Sequence, residues 1–375
     1  MQHRYDTIVI GAGIAGCMAA WQLHRAGQKV LLVDKSAHPA TGGSGAAGAF
    51  VSPKIGKGGA LQRLTNEAFA YAHRFYKSYF PDYFHQTGIV RLPKDDVDAQ
   101  TFALYAPHND ARFELLTPSR LHAKGIKSAY DAFFFPDAGV CDAPELCRAV
   151  ANEVSFMQCD VEAIGRQKDR WVLTSSTRNP LRATSLVFAL GYQNTLVDMR
   201  YMGVKGLWGS RGDYYSALPL EVSMHQKISV SANIGGIVKL GATHVKAPNP
   251  CEICDGRPLA SLEAQAARMV ETHDFRLKET FCGMRAGSRD YTPVVGEVVD
   301  VAFMDAHHPE IYRGATPPLR HLPNLYVLNG MGGRGFVFAP LMAKWLSERI
   351  VSGKPVDARV HPDRLFFKWA RRIKR

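Results

Sequence analysis

The sequence predicts an α/β fold made of two interleaved domains, and three observations carry that prediction. A short β-branched run, Asp6-Thr-Ile-Val-Ile10, leads straight into Gly11-Ala-Gly-Ile-Ala-Gly16. A helical pattern follows through Cys17, Ala20 and Leu23, closes at Gly27, and gives way to a second apolar run, Lys29 to Val33, that ends at Asp34. Further along, strand-rich blocks alternate with returns to long apolar strands, the pattern of two domains woven from one chain. At 375 residues and 46% hydrophobic, the chain can bury two cores.

The first unit is a complete strand, turn, helix and strand. Continuous apolar, β-branched runs of this length read as buried strands. A GxGxxG turn that follows a strand, opens a helix and has an acid ending the next strand marks a Rossmann-type dinucleotide site. Gly11 allows the tight turn, Gly13 lets the backbone approach a pyrophosphate, and Gly16 lets the helix pack close to the strand. Ile14 and Ala15 stand at the helix N-terminus, whose free N–H groups favour phosphate. Asp34, followed by Lys35, is placed to accept ribose hydroxyls.

The rest of the chain follows in order. Residues 40–60 form a small-residue loop that hugs a ligand. Residues 61–80 form a helix with Leu61, Leu64, Ala68, Tyr71 and Phe75 inward. Short apolar runs with prolines between 86 and 135 are strands of the second domain, and Phe133-Phe-Phe135 is core. A helix covers Pro144–Val154. Strands follow at Asp160–Gly165, Trp171–Ser175 and Leu186–Leu190, then a strand-rich block over 205–245 and a helix over 260–275. Asn324–Leu328 is a buried strand, and a helix runs from about Pro340 to Ser352. The dinucleotide domain is thus expected at 1–85, 136–200 and 320–375. A mixed-sheet α+β substrate domain is expected at 86–135 and 201–319.

A net charge of +12 suits a polyanionic partner, a small anionic substrate or a basic proteome equally. Seven scattered cysteines make no disulfide framework and point to the cytoplasm. The Cys251/Cys254 pair has no second pair to complete a zinc site, which favours two loop thiols and no metal. No stretch reaches the roughly 18 apolar residues of a membrane span, so no membrane association is expected.

Four segments resemble the FAD-dependent amino-acid oxidase superfamily of glycine, sarcosine and D-amino-acid oxidases. They are the βαβ unit; Gly42-Gly-Ser-Gly-Ala-Ala-Gly48; Leu186-Val-Phe-Ala-Leu-Gly191; and Asn324 to Gly335 with the following Ala339-Pro340. The resemblance implies a glycine oxidase-like fold and FAD, held without a covalent link. Its contacts would be Gly43, Ser44, Ala47, Gly48, Val161, Ala189, Gly191, Gly332, Gly333, Arg334, Gly335 and Phe336, besides the βαβ residues. Only one dinucleotide fingerprint occurs, so no separate nicotinamide domain is visible. Some sarcosine oxidases attach FAD to a cysteine where this chain has Gly283, one residue after Cys282. A narrower resemblance is to the oxidase half of the bifunctional MnmC enzymes, which modify the wobble uridine of tRNA. Gly45 to Leu61, Gly283 to Val298, and Gly332 to Pro340 with His361-Pro-Asp-Arg-Leu365 carry it. The methyltransferase half of those enzymes has no counterpart, so only the oxidative step and a separate methyltransferase partner are expected.

That resemblance implies oxidation of a carboxymethylaminomethyl group, an N-substituted glycine, to aminomethyluridine and glyoxylate, with oxygen as acceptor. A substrate carboxylate calls for a fixed cation, and a guanidinium binds one bidentately. Arg285 occupies the family's position for it, and the competing reading is an ion pair with Asp290. Lys57 either assists near the flavin or is a solvated loop lysine. Arg334 faces the flavin or the RNA. The C-terminus Phe366-Phe-Lys-Trp-Ala-Arg-Arg-Ile-Lys-Arg375 has five basic residues and three aromatics, suited to phosphate contact and stacking or to a basic helix packed by its aromatics. Tyr214 and Tyr215 are candidates to stack on uracil. The alternatives are an oxidase of free glycine, sarcosine or a D-amino acid, and a tRNA- or partner-binding flavoprotein without turnover. The sequence leaves the oligomeric state open.

Overall fold

The computed structural model describes residues 4–193, 196–246 and 259–373. Two eight-stranded sheets and one three-stranded sheet organise the chain. The first large sheet has a parallel centre: Ser155–Gln158, Val30–Asp34, Arg4–Ile10, Arg178–Phe188 and His321–Asn329. Two antiparallel branches complete it from one edge of Arg178–Phe188: Arg170–Ser175 with Ala163–Gln167 along its first part, and Val294–Val299 beyond His321–Asn329.

The parallel strands are apolar without alternation because both faces are covered. Val9, Leu32, Val187 and Leu328 pack towards the helices Ile14–Arg25 and Gly335–Ser352. Their neighbours Ile8, Ile10, Leu31, Leu186 and Val327 pack on the opposite face, against Tyr201, Met304 and Phe366.

The second large sheet runs Arg276–Gly287, Lys205–Tyr215, Ile237–Gly241, Ser229–Val230, Ser223–His225, Ile89–Arg91, Ala132–Phe135 and Glu114–Leu116. The helix Leu259–Ala266 covers it. Phe50–Val51, Gly139–Cys141 and Phe84–His85 form the small sheet. Strands of the first sheet come from three separate stretches of chain, as interleaving requires.

Three features depart from the sequence reading. Val294–Val299, expected with the second region, pairs antiparallel with His321–Asn329 in the first sheet. The helix expected from about Pro340 starts at Gly335. Pro340 lacks the N–H that would bond the Phe336 carbonyl, and the Tyr76 hydroxyl donates to that carbonyl instead, at 2.9 Å. Tyr214 is core: its hydroxyl donates to Glu263 at 2.6 Å, while Tyr215 points to solvent at the far end of the strand. Neither tyrosine reaches the cavity described below.

The C-terminal helix Asp363–Ala370 packs Leu365 and Phe366 inward and leaves Lys368 exposed. Phe367 and Trp369 are half-buried against the same core. The described part of this segment takes the form of a helix packed by its aromatics, with Lys368 facing out. Among the described residues no helix is long and apolar enough to cross a membrane. The Cys251/Cys254 pair lies outside the described residues. Cys282 is disulfide-bonded, unlike the lone thiols that scattered cysteines suggested.

Candidate active site

A cavity of about 1160 Å³ is lined from both large sheets. One end is built on the glycine turn. Gly11 has φ +103°, and a Cβ there would stand 2.4 Å from the Ala189 carbonyl oxygen. A Cβ on Gly16 would fall 1.7 Å from the Gly11 carbonyl oxygen, so only glycine lets the helix close on the turn. The Ile14 N–H donates to Ser44 Oγ at 2.9 Å, drawing the small-residue loop over the helix N-terminus. Asp34 accepts the Ala12 and Ser36 N–H groups at 2.7 and 2.9 Å, which fixes its carboxylate on the cavity wall.

The loop is also tied to the second sheet. Arg211 donates to the Ala47 carbonyl, pairs with Asp213 at 2.8 Å, and lies 4.0 Å from the Phe281 ring centroid. This buried guanidinium has its counter-ion within the protein.

Arg285 has none among the described residues. It stands on the strand Arg276–Gly287 across from Leu207. Its guanidinium lies on Gly209, where a Cβ would come within 2.4 Å of both terminal nitrogens. Among the described residues its one hydrogen bond runs from Nη1 to the Thr243 carbonyl, at 3.1 Å. Asp290 is taken by Arg364 at 2.9 Å, which removes the competing ion-pair reading. Burial pulls the Arg285 pKa below the ordinary guanidinium value. Burial and the Arg285 charge together push His244 down, so that imidazole is neutral at pH 7.

A second group of cations, Lys54, Arg91 and Arg334, also lines the cavity. Burial lowers all three pKa values, and mutual repulsion adds to the effect on Lys54 and Arg91. Arg91 falls to about 10 and is still charged at neutral pH. Beside them, His225 is pushed well below its ordinary value by burial and by Arg91 and Arg334. The neutral ring sits 2.6 Å from Ser229 Oγ through Nδ1 and 3.4 Å from Ser52 Oγ through Nε2.

Residues 6–349 match the family model for DAO, FAD dependent oxidoreductase. The chain belongs to the DAO family. Its own residues fit FAD: the turn at Gly11–Ile14 and the helix N–H groups for the pyrophosphate, Asp34 for the ribose, and a long cavity walled by glycines for the ring. No free thiol stands at the covalent position, since Gly283 has no side chain and Cys282 is disulfide-bonded. The MnmC protein of Aeromonas salmonicida (strain A449), a tRNA 5-methylaminomethyl-2-thiouridine biosynthesis bifunctional protein, is 28% identical over 98% of this chain and 59% of its own length. The chain thus spans about three-fifths of such relatives. Glycine oxidase from Geobacillus kaustophilus shares the fold with a TM-score of 0.78 at 19% identity, over 96% of this chain and 97% of that one. Iminodiacetate oxidase from Chelativorans sp. BNC1 does so with 0.71 at 18%, over 95% and 98%. At these identities the two solved structures speak to fold alone.

Of the residues expected around the cofactor, Gly11, Gly13, Ile14, Ala15, Asp34, Lys35, Gly43, Ser44, Ala47, Gly48, Val161, Ala189, Gly191, Gly332, Gly333, Arg334, Gly335 and Phe336 line the cavity, as does Arg285. Gly16 packs behind it. Lys57 is corrected: it is exposed and outside the lining, and Lys54, three residues earlier, faces in. The loop turns between them, and no sequence periodicity marks which lysine points inward. Lys54, Arg91, His225 and His244 were missed. Arg91 alone left a signal, a cation inside the apolar run Ile89-Val-Arg-Leu92.

Proposed function

We propose that this FAD-dependent oxidoreductase oxidises a secondary amine of the N-substituted glycine class. The substrate in this reading is the carboxymethylaminomethyl group on the wobble uridine of tRNA, with oxygen as acceptor and the cytoplasm as the site of action. The observation that carries the reading is Arg285: a half-buried guanidinium on the cavity wall, with one carbonyl partner and no carboxylate among the described residues. A buried cation without a counter-ion is costly, and a substrate carboxylate removes that cost. The tRNA identity is supported by the similarity to tRNA-modifying MnmC relatives and by the +12 charge.

Bound along this cavity, FAD supplies the two-electron acceptor. The Thr243 carbonyl and the Gly209 surface hold the guanidinium in one orientation, so Arg285 fixes the carboxylate and with it the adjacent carbon. Loss of a hydride from that carbon leaves an imine. Water adds to it, the carbon–nitrogen bond breaks, and glyoxylate leaves with aminomethyluridine as the other product. Arg285 would serve a free amino acid equally well, which keeps an oxidase of glycine, sarcosine or a D-amino acid as the second reading.

The test is flavin bleaching without oxygen. Holoenzyme is mixed with tRNA that lacks the final modification steps and, in parallel, with glycine, sarcosine and D-alanine. Bleaching by the tRNA alone, with glyoxylate released, is expected. Bleaching by a free amino acid with tRNA inert would overturn the RNA substrate and leave a small-molecule oxidase.

A further inference from the structure

Arg285 answers for one anion, yet three more cations face the same cavity. Lys54 follows the strand Phe50–Val51, Arg91 ends the strand Ile89–Arg91, and Arg334 sits in the turn before the helix Gly335–Ser352. Among the described residues none of the three side chains forms an ion pair or a hydrogen bond, and Arg91 Nε is buried without an acceptor. The nearest carboxylate to influence Arg91 is Asp98, whose Oδ2 already accepts the Lys94 N–H. His225, the remaining titratable group against them, is neutral and contributes no negative charge.

The established cofactor does not supply the missing charge. Its pyrophosphate would be met by the turn and helix N-terminus at Gly11–Ile14, which answer its charge without these side chains. Its ring system is uncharged when oxidised and gains one negative charge at most on reduction. Two guanidiniums and an ammonium converging on one cavity wall suit a group with several acceptor oxygens. Such forks bind phosphate or carboxylate in pairs of parallel hydrogen bonds.

We infer that Lys54, Arg91 and Arg334 form a second oxyanion subsite in the active cavity, separate from Arg285, which takes a phosphate group carried by the substrate. The inference deepens the proposed function and rests on it only for the donor of that phosphate, a nucleotide. A diacid amine would present a second carboxylate to the same cations, so the experiment separates the two sources.

The probe is inorganic phosphate, titrated into holoenzyme and followed by the change in the visible flavin spectrum and by thermal midpoint. Glycolate, a small carboxylate, is titrated in parallel. Phosphate affinity is expected to fall at least about tenfold in Arg91→Met and in Lys54→Met, and to stay within about twofold in Arg285→Ala. Glycolate affinity is expected to show the reverse pattern, and Arg91→Lys should keep most of the phosphate binding. FAD content of each variant shows that its fold is intact, and Lys54→Met stands in if Arg91→Met loses the cofactor. Uridine monophosphate should displace phosphate. Displacement by iminodiacetate and not by the nucleotide would overturn the phosphate assignment. Equal phosphate binding in wild type and Arg91→Met, or binding to cofactor-free protein alone, would overturn the subsite. Arg91-dependent phosphate binding in an enzyme that tRNA fails to bleach would keep the subsite and discard the tRNA reading.

Discussion

Two regions of this molecule gather charge, and they treat it in opposite ways. At the C-terminus Glu297 takes Arg349 and His361, Asp363 takes His321 and His361 at 2.9 and 3.3 Å, and Arg364 takes Asp290. In the cavity Arg91, Arg334, Lys54 and Arg285 face one another's repulsion or open space, with no carboxylate among the described residues to meet them. Opposite charges that close within the chain hold segments together. Like charges left open cost stability until a ligand arrives. The first region clamps the C-terminal segment to the first sheet, and the second is built to bind.

The largest effect that would sharpen this contrast is on turnover. Arg285→Ala removes the only cation fixed on Gly209 and should lower kcat/KM for the amine substrate by about three orders of magnitude. The thermal midpoint should change little, because no charged partner is stranded and only the Thr243 carbonyl loses a donor. A variant that loses stability along with activity would place Arg285 with the clamp.

Next comes Glu297→Gln, which leaves Arg349 and His361 without their shared carboxylate. The side chain is 14% exposed, so the loss should be below that of a fully buried pair, about 2–3 kcal/mol by chemical denaturation. FAD affinity and turnover should change little. An unchanged denaturation midpoint would mean that solvent screens the clamp.

The clamp also sets a pH window. Burial pulls the His361 pKa down, but hydrogen bonds and charge from Asp363 and Glu297 outweigh it and push the value up to about 9 from 6.5. That contribution to stability is complete below pH 6.5 and lost as pH rises through about 9. Burial pushes Glu297 up, while His361 and Arg349 pull it down further, to about 2 from 4.5. Its contribution is present above pH 4.5 and lost as pH falls through about 2. Thermal midpoints of wild type and His361→Gln should therefore converge on the alkaline side. A constant gap up to pH 10 would sink the assignment.

What the sequence disclosed about these regions divides by how local the cause is. The βαβ unit was legible because Gly11, Gly16 and Asp34 meet within one strand–turn–helix–strand unit. Arg285 was legible only through a resemblance, since its partners Thr243 and Gly209 come from other strands. Val294–Val299 was placed in the wrong region because its pairing with His321–Asn329 is a long-range choice between apolar strands. The start of the helix Gly335–Ser352 was hidden because Tyr76, far away in the chain, satisfies the carbonyl that Pro340 cannot. Lys54 and Lys57 differ only in the direction of a loop. The clamp went unread because its seven residues come from four separate stretches of chain that meet only after folding.

The smallest effect is the most discriminating. Arg91→Met removes a charge that no protein group compensates and keeps an apolar side chain of similar reach among Ile89, Val90 and Leu92. Exchange of a buried ion for an apolar side chain is neutral to stabilising, and the cavity's access to water holds the gain to about 1 kcal/mol. In phosphate-free buffer the holoenzyme variant should thus melt at or slightly above the wild type, the opposite sign to Glu297→Gln. Added phosphate should then raise the wild-type midpoint and leave the variant where it was, reversing their order. A variant that is less stable in both buffers would show that Arg91 is held by the fold after all, and the difference between the two charged regions would collapse.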